Sequence, residues 1–270
     1  MKPIIEKDEL TFELSGFSPE RWTAVIPVAG KGSRLGYNAP KVLYPIAGET
    51  ILSIILSQLA GLVERVVFVV SPSGREPIAA ALEDLGVTGW VDLCVQETPR
   101  GMGDAIACAK DSVRTPSCLV IWGDQVTIRR DTLRACLAAH ELRGKATLTL
   151  PTIMRRKPYI HFVRDTHGRI TKVQQQREGE ISVAVGENDC GIFCFASDLL
   201  FQVLESGWKN QAAIGAETRE LNLLPLLPQF ERGDGSVVTL RIATEEETLG
   251  VNSVEDAMMA ESILRTRRQS

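Results

Sequence analysis

Five short apolar runs recur along the first part of the chain: TAVIPVA from Thr23, RVVFVVS from Arg65, VDLCVQE from Val91, SCLVIWGD from Ser117 and KATLTLPTI from Lys145. None alternates cleanly between apolar and polar residues, as a strand with one wet face does. A strand apolar on both sides must be covered on both sides, which is the condition of a parallel sheet between helical layers. Four amphipathic segments separate the runs: TILSIILSQLAGL, EPIAAALEDLG, GDAIACAKDSV and RDTLRACLAAHELRG. Glycines at 61, 86 and 144 mark helix ends, where the chain can turn left-handed. Strand and helix in alternation predict an α/β fold with helices on both faces of the sheet.

After about residue 155 the pattern changes. HFVRDTHGRITKVQQQ reads as a hairpin turning at His167-Gly168, and ISVAVGENDCGIFCFAS has strand character. DLLFQVLESG is a short helix. Residues 207–236 are loop-rich, with a helix expected through ELNLLPLLPQF. SVVTLRIAT is a late strand and SVEDAMMAESILRTRRQ a closing helix at about 253–268. Residues 1–20 form a mixed polar extension, an edge strand or a capping arm. With neither repeat nor linker, residues 21–270 read as one domain with a β-rich elaboration at about 155–236.

A formal charge of −4 speaks against broad nucleic-acid or membrane binding, though a phosphate site needs only a few cations. No apolar run is long enough to span a bilayer, and MKPIIEKDELTFEL lacks the apolar core of a signal peptide, so a cytoplasmic protein is expected. Six cysteines without a CxxC pair predict reduced, mostly buried thiols rather than a zinc site.

The first strand runs into VIPVAGKGSRLGYNAPKVLYPIAG, residues 25–48. A dinucleotide fingerprint needs G-x-G-x-x-G, but here Gly36 comes one position late after Gly30 and Gly32. A Walker A loop needs its lysine after the last glycine, but Lys31 precedes Gly32, and Ser33 follows no lysine. The physical content survives both failures. Glycines after a strand let backbone N–H groups approach phosphates, and Lys31, Arg34 and Lys41 supply charge.

Three later segments add to this. Asp124 follows the strand SCLVIW, at the edge where open α/β sheets bind ligands, and can hold Mg2+ through oxygen or serve as a turn residue. In QETPRGMGDA, Gln96 offers an amide to a base edge, while Gly101 permits close approach of a ring or ribose. In GVNS, Asn252 offers either a second metal ligand or a helix cap.

These segments together resemble the sugar-1-phosphate nucleotidyltransferases, or NDP-sugar pyrophosphorylases, over about residues 22–260. The closest pattern is the uridylyltransferase domain of the bifunctional N-acetylglucosamine-1-phosphate uridylyltransferases, without the β-helical acetyltransferase domain. VAGKGSRLG…PKVLYPIAG resembles the signature loop and lysine, QETPRGMGDA the base-binding segment, WGD the metal aspartate, and ETLGVNSVEDAMMAE the late metal-ligand segment. The resemblance implies a Rossmann-like three-layer nucleotidyltransferase fold with a mostly parallel mixed sheet and a β-rich acceptor-side elaboration. It implies nucleotide contacts from Ala29, Gly30, Gly32, Ser33, Gln96, Gly101 and Met102. Arg34, Lys41 and Asp124 would be catalytic, and Asp124 and Asn252 would hold Mg2+.

On the acceptor side, Ile160, Gln174 and Asp189 fall where the uridylyltransferases carry glycine, glutamate and asparagine. Met102 and Leu221 replace two threonines. These departures leave the acceptor open. The implied substrates are a nucleoside triphosphate, UTP favoured, and a phosphorylated small molecule of the sugar 1-phosphate type, with an oligomeric state the sequence leaves undecided. A cytidylyltransferase acting on a phospho-alcohol or phosphonate, with His161 and Arg164 meeting the acceptor, and a non-catalytic nucleotide-binding scaffold are the alternatives.

Overall fold

The structure, a computed structural model, describes residues 3–6, 16–30, 33–211, 213–215 and 219–269. Lys31 and Gly32 lie outside them, so the middle of the glycine loop has no structural account here.

Strands β1 (Ile4–Glu6), β2 (Trp22–Pro27), β3 (Pro45–Ile46), β4 (Glu49–Thr50), β5 (Arg65–Val70), β6 (Val91–Val95) and β7 (Ser117–Ile121) occupy the first half of the chain. With them come helices α1 (Ile51–Leu59), α2 (Pro72–Asp84), α3 (Met102–Cys108) and α4 (Arg130–Leu142). The second half holds β8 (Leu148–Arg156), β9 (Ile160–Arg164), β10 (Ile170–Gln175), β11 (Val185–Asp189), β12 (Ile192–Ala196), α5 (Ser197–Asn210), β13 (Val237–Arg241) and α6 (Val254–Gln269).

The main sheet runs β1-β13-β8-β12-β7-β2-β5-β6, with β11 paired to the far half of β8. β7, β2, β5 and β6 are parallel, as the continuous apolar runs require. β12 runs antiparallel between β7 and β8, which makes the sheet mixed. In β5, Val66, Phe68 and Val70 face one core while Val67 and Val69 face the other. The first core is closed by residues of α1, α2, α4 and α6, the second by α3, α5 and the β9–β10 hairpin. The fold is thus the three-layer, Rossmann-like α/β arrangement, with extra strands on one side.

Local boundaries follow capping chemistry. Thr50 accepts a hydrogen bond from Ser53 N at 3.1 Å and starts α1. Ser71 does the same for Gly74 N at 3.1 Å, so α2 begins at Pro72, ahead of the amphipathic pattern that starts at Glu76. The helix expected through ELNLLPLLPQF is shorter and tighter, a 3-10 helix over Leu224–Phe230. Its prolines at 225 and 228 lack the N–H an α-helix needs. The N-terminal extension contributes an edge strand, β1, parallel to β13. Four cysteines are buried and two partly buried, all as free thiols.

Candidate active site

Three side chains from three distant segments meet at the ligand-binding edge of the sheet. Lys41 starts a 3-10 turn, Lys41–Leu43, fixed by the buried Val42 beneath it. Asp124 lies on the loop after β7. Asn252 precedes α6. Lys41 Nζ donates to Asp124 Oδ2 at 2.9 Å and to Asn252 Oδ1 at 2.9 Å.

The position of Asn252 comes from helix-start chemistry. Ser253 Oγ accepts from Asp256 N at 3.1 Å, while Asp256 Oδ2 accepts from Ser253 N and Asn252 N, each at 2.9 Å. This reciprocal cap satisfies the first turn of α6 without Asn252. Ser253 is therefore the cap, and the Asn252 side chain is left for Lys41. The segment is tied to the aspartate loop by Val251 N donating to Asp124 O at 3.1 Å and by a bridge between Gln125 and Gly250.

The Lys41 cluster lines a cavity of about 270 Å3 together with Gly30, Met102 and Trp122. Those last three, with Pro27, also line an adjoining cavity of about 640 Å3. One wall of the larger cavity carries Ala29, Gly30, Gln96, Gly101 and Met102. Gln96 is buried at the end of β6, its backbone N–H continuing the ladder to Val70 O at 2.8 Å. Its Nε2 donates to Asp104 Oδ2 at 2.7 Å and to Gly101 O at 3.2 Å. With the donor end committed, the amide is oriented and its carbonyl oxygen is the group left for a ligand donor.

Gly101 has φ +103°, and a Cβ there would lie 2.6 Å from Leu221 O. The glycine is needed because the segment around Leu221 crosses directly over it. The same cavity is also lined by Tyr159, Ile160, Gln175, Arg177 and Asn222.

The candidates read from sequence separate accordingly. Lys41, Asp124 and Asn252 converge, and Ala29, Gly30, Gln96, Gly101, Met102 and Ile160 line the cavities. Arg34 is exposed in the turn Ser33–Leu35 and lines neither cavity. Ser33 belongs to the same turn, and Gly32 lies outside the described residues.

Gln174 is not a wall residue: it pairs with His161, while Gln175, paired with Ile160, faces the cavity. Side chains alternate along a strand, so Gln175 follows the inward Val173 and Gln174 points the other way. That parity is the signal by which Gln175 can be found.

Asp189 sits behind the wall, fully buried, its Oδ1 accepting from Gly191 N at 2.6 Å and Tyr159 Oη at 3.1 Å. Burial pushes its carboxyl up to about 6, against the pull of those donors.

His161 and Arg164 are committed elsewhere. Arg164 grips the buried Glu187 through Nε–Oε2 at 2.7 Å and Nη2–Oε1 at 2.8 Å, and His161 Nδ1 accepts from Glu187 N at 3.1 Å. They hold β9 to β11 and do not reach the cavity wall.

The oxygens of Asp124 and Asn252 fit a divalent cation in kind and placement. They are hard donors, and both already lie 2.9 Å from one positive charge. Among the described residues no group of three or more His, Cys, Asp or Glu forms a metal cage. Such a cation would therefore need ligand oxygens to complete its shell. No helix among the described residues is long and apolar enough to cross a membrane.

A family model for the MobA-like NTP transferase domain matches residues 24–188. The bifunctional protein GlmU of Exiguobacterium sp. strain AT1b is 32% identical over 250 residues, covering 90% of this chain and 53% of that protein. GlmU of Heliobacterium modesticaldum is 29% identical over 249 residues, covering 91% and 52%. The chain thus spans about half the length of the curated relatives it matches. A crystal structure from Bacillus anthracis, described as a glucose-1-phosphate thymidylyltransferase in complex with a sucrose, superposes with a TM-score of 0.67 at 17% identity, covering 90% of this chain and 95% of that one. At that identity the likeness is one of fold.

Proposed function

The chain belongs to the MobA-like NTP transferase domain family, and on that premise we propose that it joins a nucleoside triphosphate, UTP favoured, to a sugar 1-phosphate, releasing pyrophosphate. The observation that carries this reading is the meeting of Lys41, Asp124 and Asn252 beside a cavity lined by Gln96, Gly101 and Met102 and by Tyr159, Gln175 and Asn222.

In this reading the acceptor's phosphate oxygen attacks the α-phosphorus in line, and pyrophosphate leaves. A phosphate monoester is already anionic near neutral pH, so no strong base is required, consistent with the lack of histidine in the two cavity walls. Asp124 and Asn252 would hold Mg2+, which when bound would supply positive charge to offset that of the nucleotide and acceptor phosphates. Lys41 would swing from these two oxygens onto the phosphates, exchanging one anionic partner for another. Gln96 Oε1 would accept from a base N–H, and Ala29 and Gly30 would let the backbone approach the nucleotide. Rate then comes from positioning and fixed charge.

The test is pyrophosphate release with UTP, dTTP, CTP, GTP and ATP against a panel of sugar 1-phosphates. Lys41→Ala and Asp124→Ala are each expected to lower turnover at least tenfold with the fold intact by circular dichroism. Full activity in both variants would remove this site from the chemistry; no pyrophosphate from any pair would overturn the reading.

A further inference from the structure

Asp104 lines neither cavity, yet it holds a residue that does. It stands in the first turn of α3 and is buried. Its two oxygens are divided between two partners. Oδ1 lies 3.3 Å from Nη2 of Arg100, one turn back, whose guanidinium sits over the Trp208 ring at 5.2 Å from its centroid. Oδ2 accepts from Gln96 Nε2 at 2.7 Å.

A glutamine amide can turn over, exchanging its oxygen for its NH2 group. Here the two hydrogens of Gln96 Nε2 go to groups that only accept, the Asp104 carboxylate and the Gly101 carbonyl at 3.2 Å. Turning the amide over would set Oε1 against both of them with no hydrogen between. Of the two holds the carboxylate is the stronger, because it is charged and closer. Gln96 lines the larger cavity and, held this way, offers it an acceptor alone.

Uracil and cytosine have nearly the same shape but exchange donor and acceptor at ring positions 3 and 4. Uracil carries N3–H and O4; cytosine carries a bare N3 and an amino group. An oxygen fixed opposite either position matches one base and meets a lone pair on the other. A glutamine free to turn over can meet both. Resting on the nucleotidyl-transfer reading, in which UTP is favoured, we propose that Asp104 is a positioning residue for nucleobase choice. By holding Gln96 as an acceptor it admits a base with a ring N–H and turns away one whose ring nitrogen is bare. It acts through Gln96 and not on the nucleotide itself.

Calorimetric binding of UTP and of CTP to the full chain, with Mg2+ present in both, tests this independently of turnover. The wild type is expected to bind UTP tighter by about tenfold or more, the cost of one mispaired buried acceptor. Asp104→Leu leaves only the Gly101 carbonyl to hold the amide, and the ratio is expected to fall to about threefold or less. A merely structural role would weaken both nucleotides alike and leave the ratio where it was. Asp104→Asn has the same shape and serves if the leucine variant does not fold. Its amide presents either an oxygen or an N–H to Gln96, so its ratio is expected between those of the wild type and Asp104→Leu. Equal affinity or a preference for CTP in the wild type, or an undiminished ratio in either variant, overturns the proposal. Pyrophosphate release from UTP and CTP with equal efficiency would overturn it while leaving the transfer reading intact. Selection of UTP that depends on Asp104, without pyrophosphate from any pair, would do the reverse.

Discussion

Replacing Gly101 by alanine should unfold the protein at markedly lower denaturant. The glycine has φ +103° and ψ 173°, a region closed to other residues. An added Cβ would sit 2.6 Å from Leu221 O, 2.7 Å from Glu220 Cβ and 2.9 Å from Leu221 N. Two of those atoms are backbone and pinned: Leu221 N donates to Arg100 O at 2.8 Å, and Gly103 N donates to Leu221 O at 2.9 Å.

Retreat of the Leu221 segment breaks both hydrogen bonds, at about 1 kcal/mol each. Backbone strain adds about 1–3 kcal/mol. The sum is about 3–5 kcal/mol. With a urea slope of about 3 kcal/mol per molar for a chain this size, the midpoint should drop by about 1 M or more. Gly30→Ala is the control: a Cβ there meets nothing within 4 Å, and the backbone is not left-handed. Its midpoint should move by less than about 0.2 M, since surface changes cost under about 0.5 kcal/mol. A Gly101→Ala midpoint as close to wild type as that of Gly30→Ala would refute the reasoning.

Other expectations concern buried charge. Asp189 holds its proton to about pH 6 in the folded chain, above its ordinary value, so between about pH 4 and 6 the folded state binds more protons than the unfolded. Its contribution to stability therefore falls as pH rises through that window and is flat above it, by on the order of 3 kcal/mol in all. Asp189→Asn should remove this fall, seen as a wild-type-minus-variant difference in urea midpoints across pH; an unchanged difference would contradict it. His140 has the opposite sign: burial lowers it to about 4, so its contribution is lost as pH falls from about 6.5 toward 4. His140→Gln should flatten the acid side of the same profile. Arg164→Met leaves Glu187 buried and loses both of the hydrogen bonds between them, an expected loss of about 3–5 kcal/mol; a thermal midpoint within a degree of wild type would show that Arg241, 3.8 Å from Glu187, already suffices.

The parallel half of the sheet was legible because burial on both faces leaves a compositional mark that does not depend on neighbours. Val66 through Val70 could be read as a central strand without knowing which helices cover it. The insertion of β12 between β7 and β8 was not legible in this way. Ile192 to Ala196 is as apolar as its parallel neighbours, and direction leaves no trace in such a run. Lys41, Asp124 and Asn252 were each visible as single positions, but only the fold sets Lys41 Nζ 2.9 Å from an oxygen of each of the other two. Gln174 lies one residue from Gln175, which lines the cavity, and on a strand one residue is the opposite face. Arg177 carried no motif, because its setting depends on Asn222, 45 positions away.

Asp124 and Asn252 meet although 128 positions separate them in the chain (252 − 124). α6, which follows Asn252, is tied back by Arg267, bonded to Thr127 O and Glu246, and by Arg268, paired with Glu49. A chain severed anywhere between Asp124 and Asn252 splits the pair, and no amino-terminal fragment that stops short of Asn252 contains both. The site is a clasp between distant parts of the chain, so activity should register the closure of the whole molecule rather than the health of any one loop. Catalysis and global unfolding should then share a single denaturant midpoint.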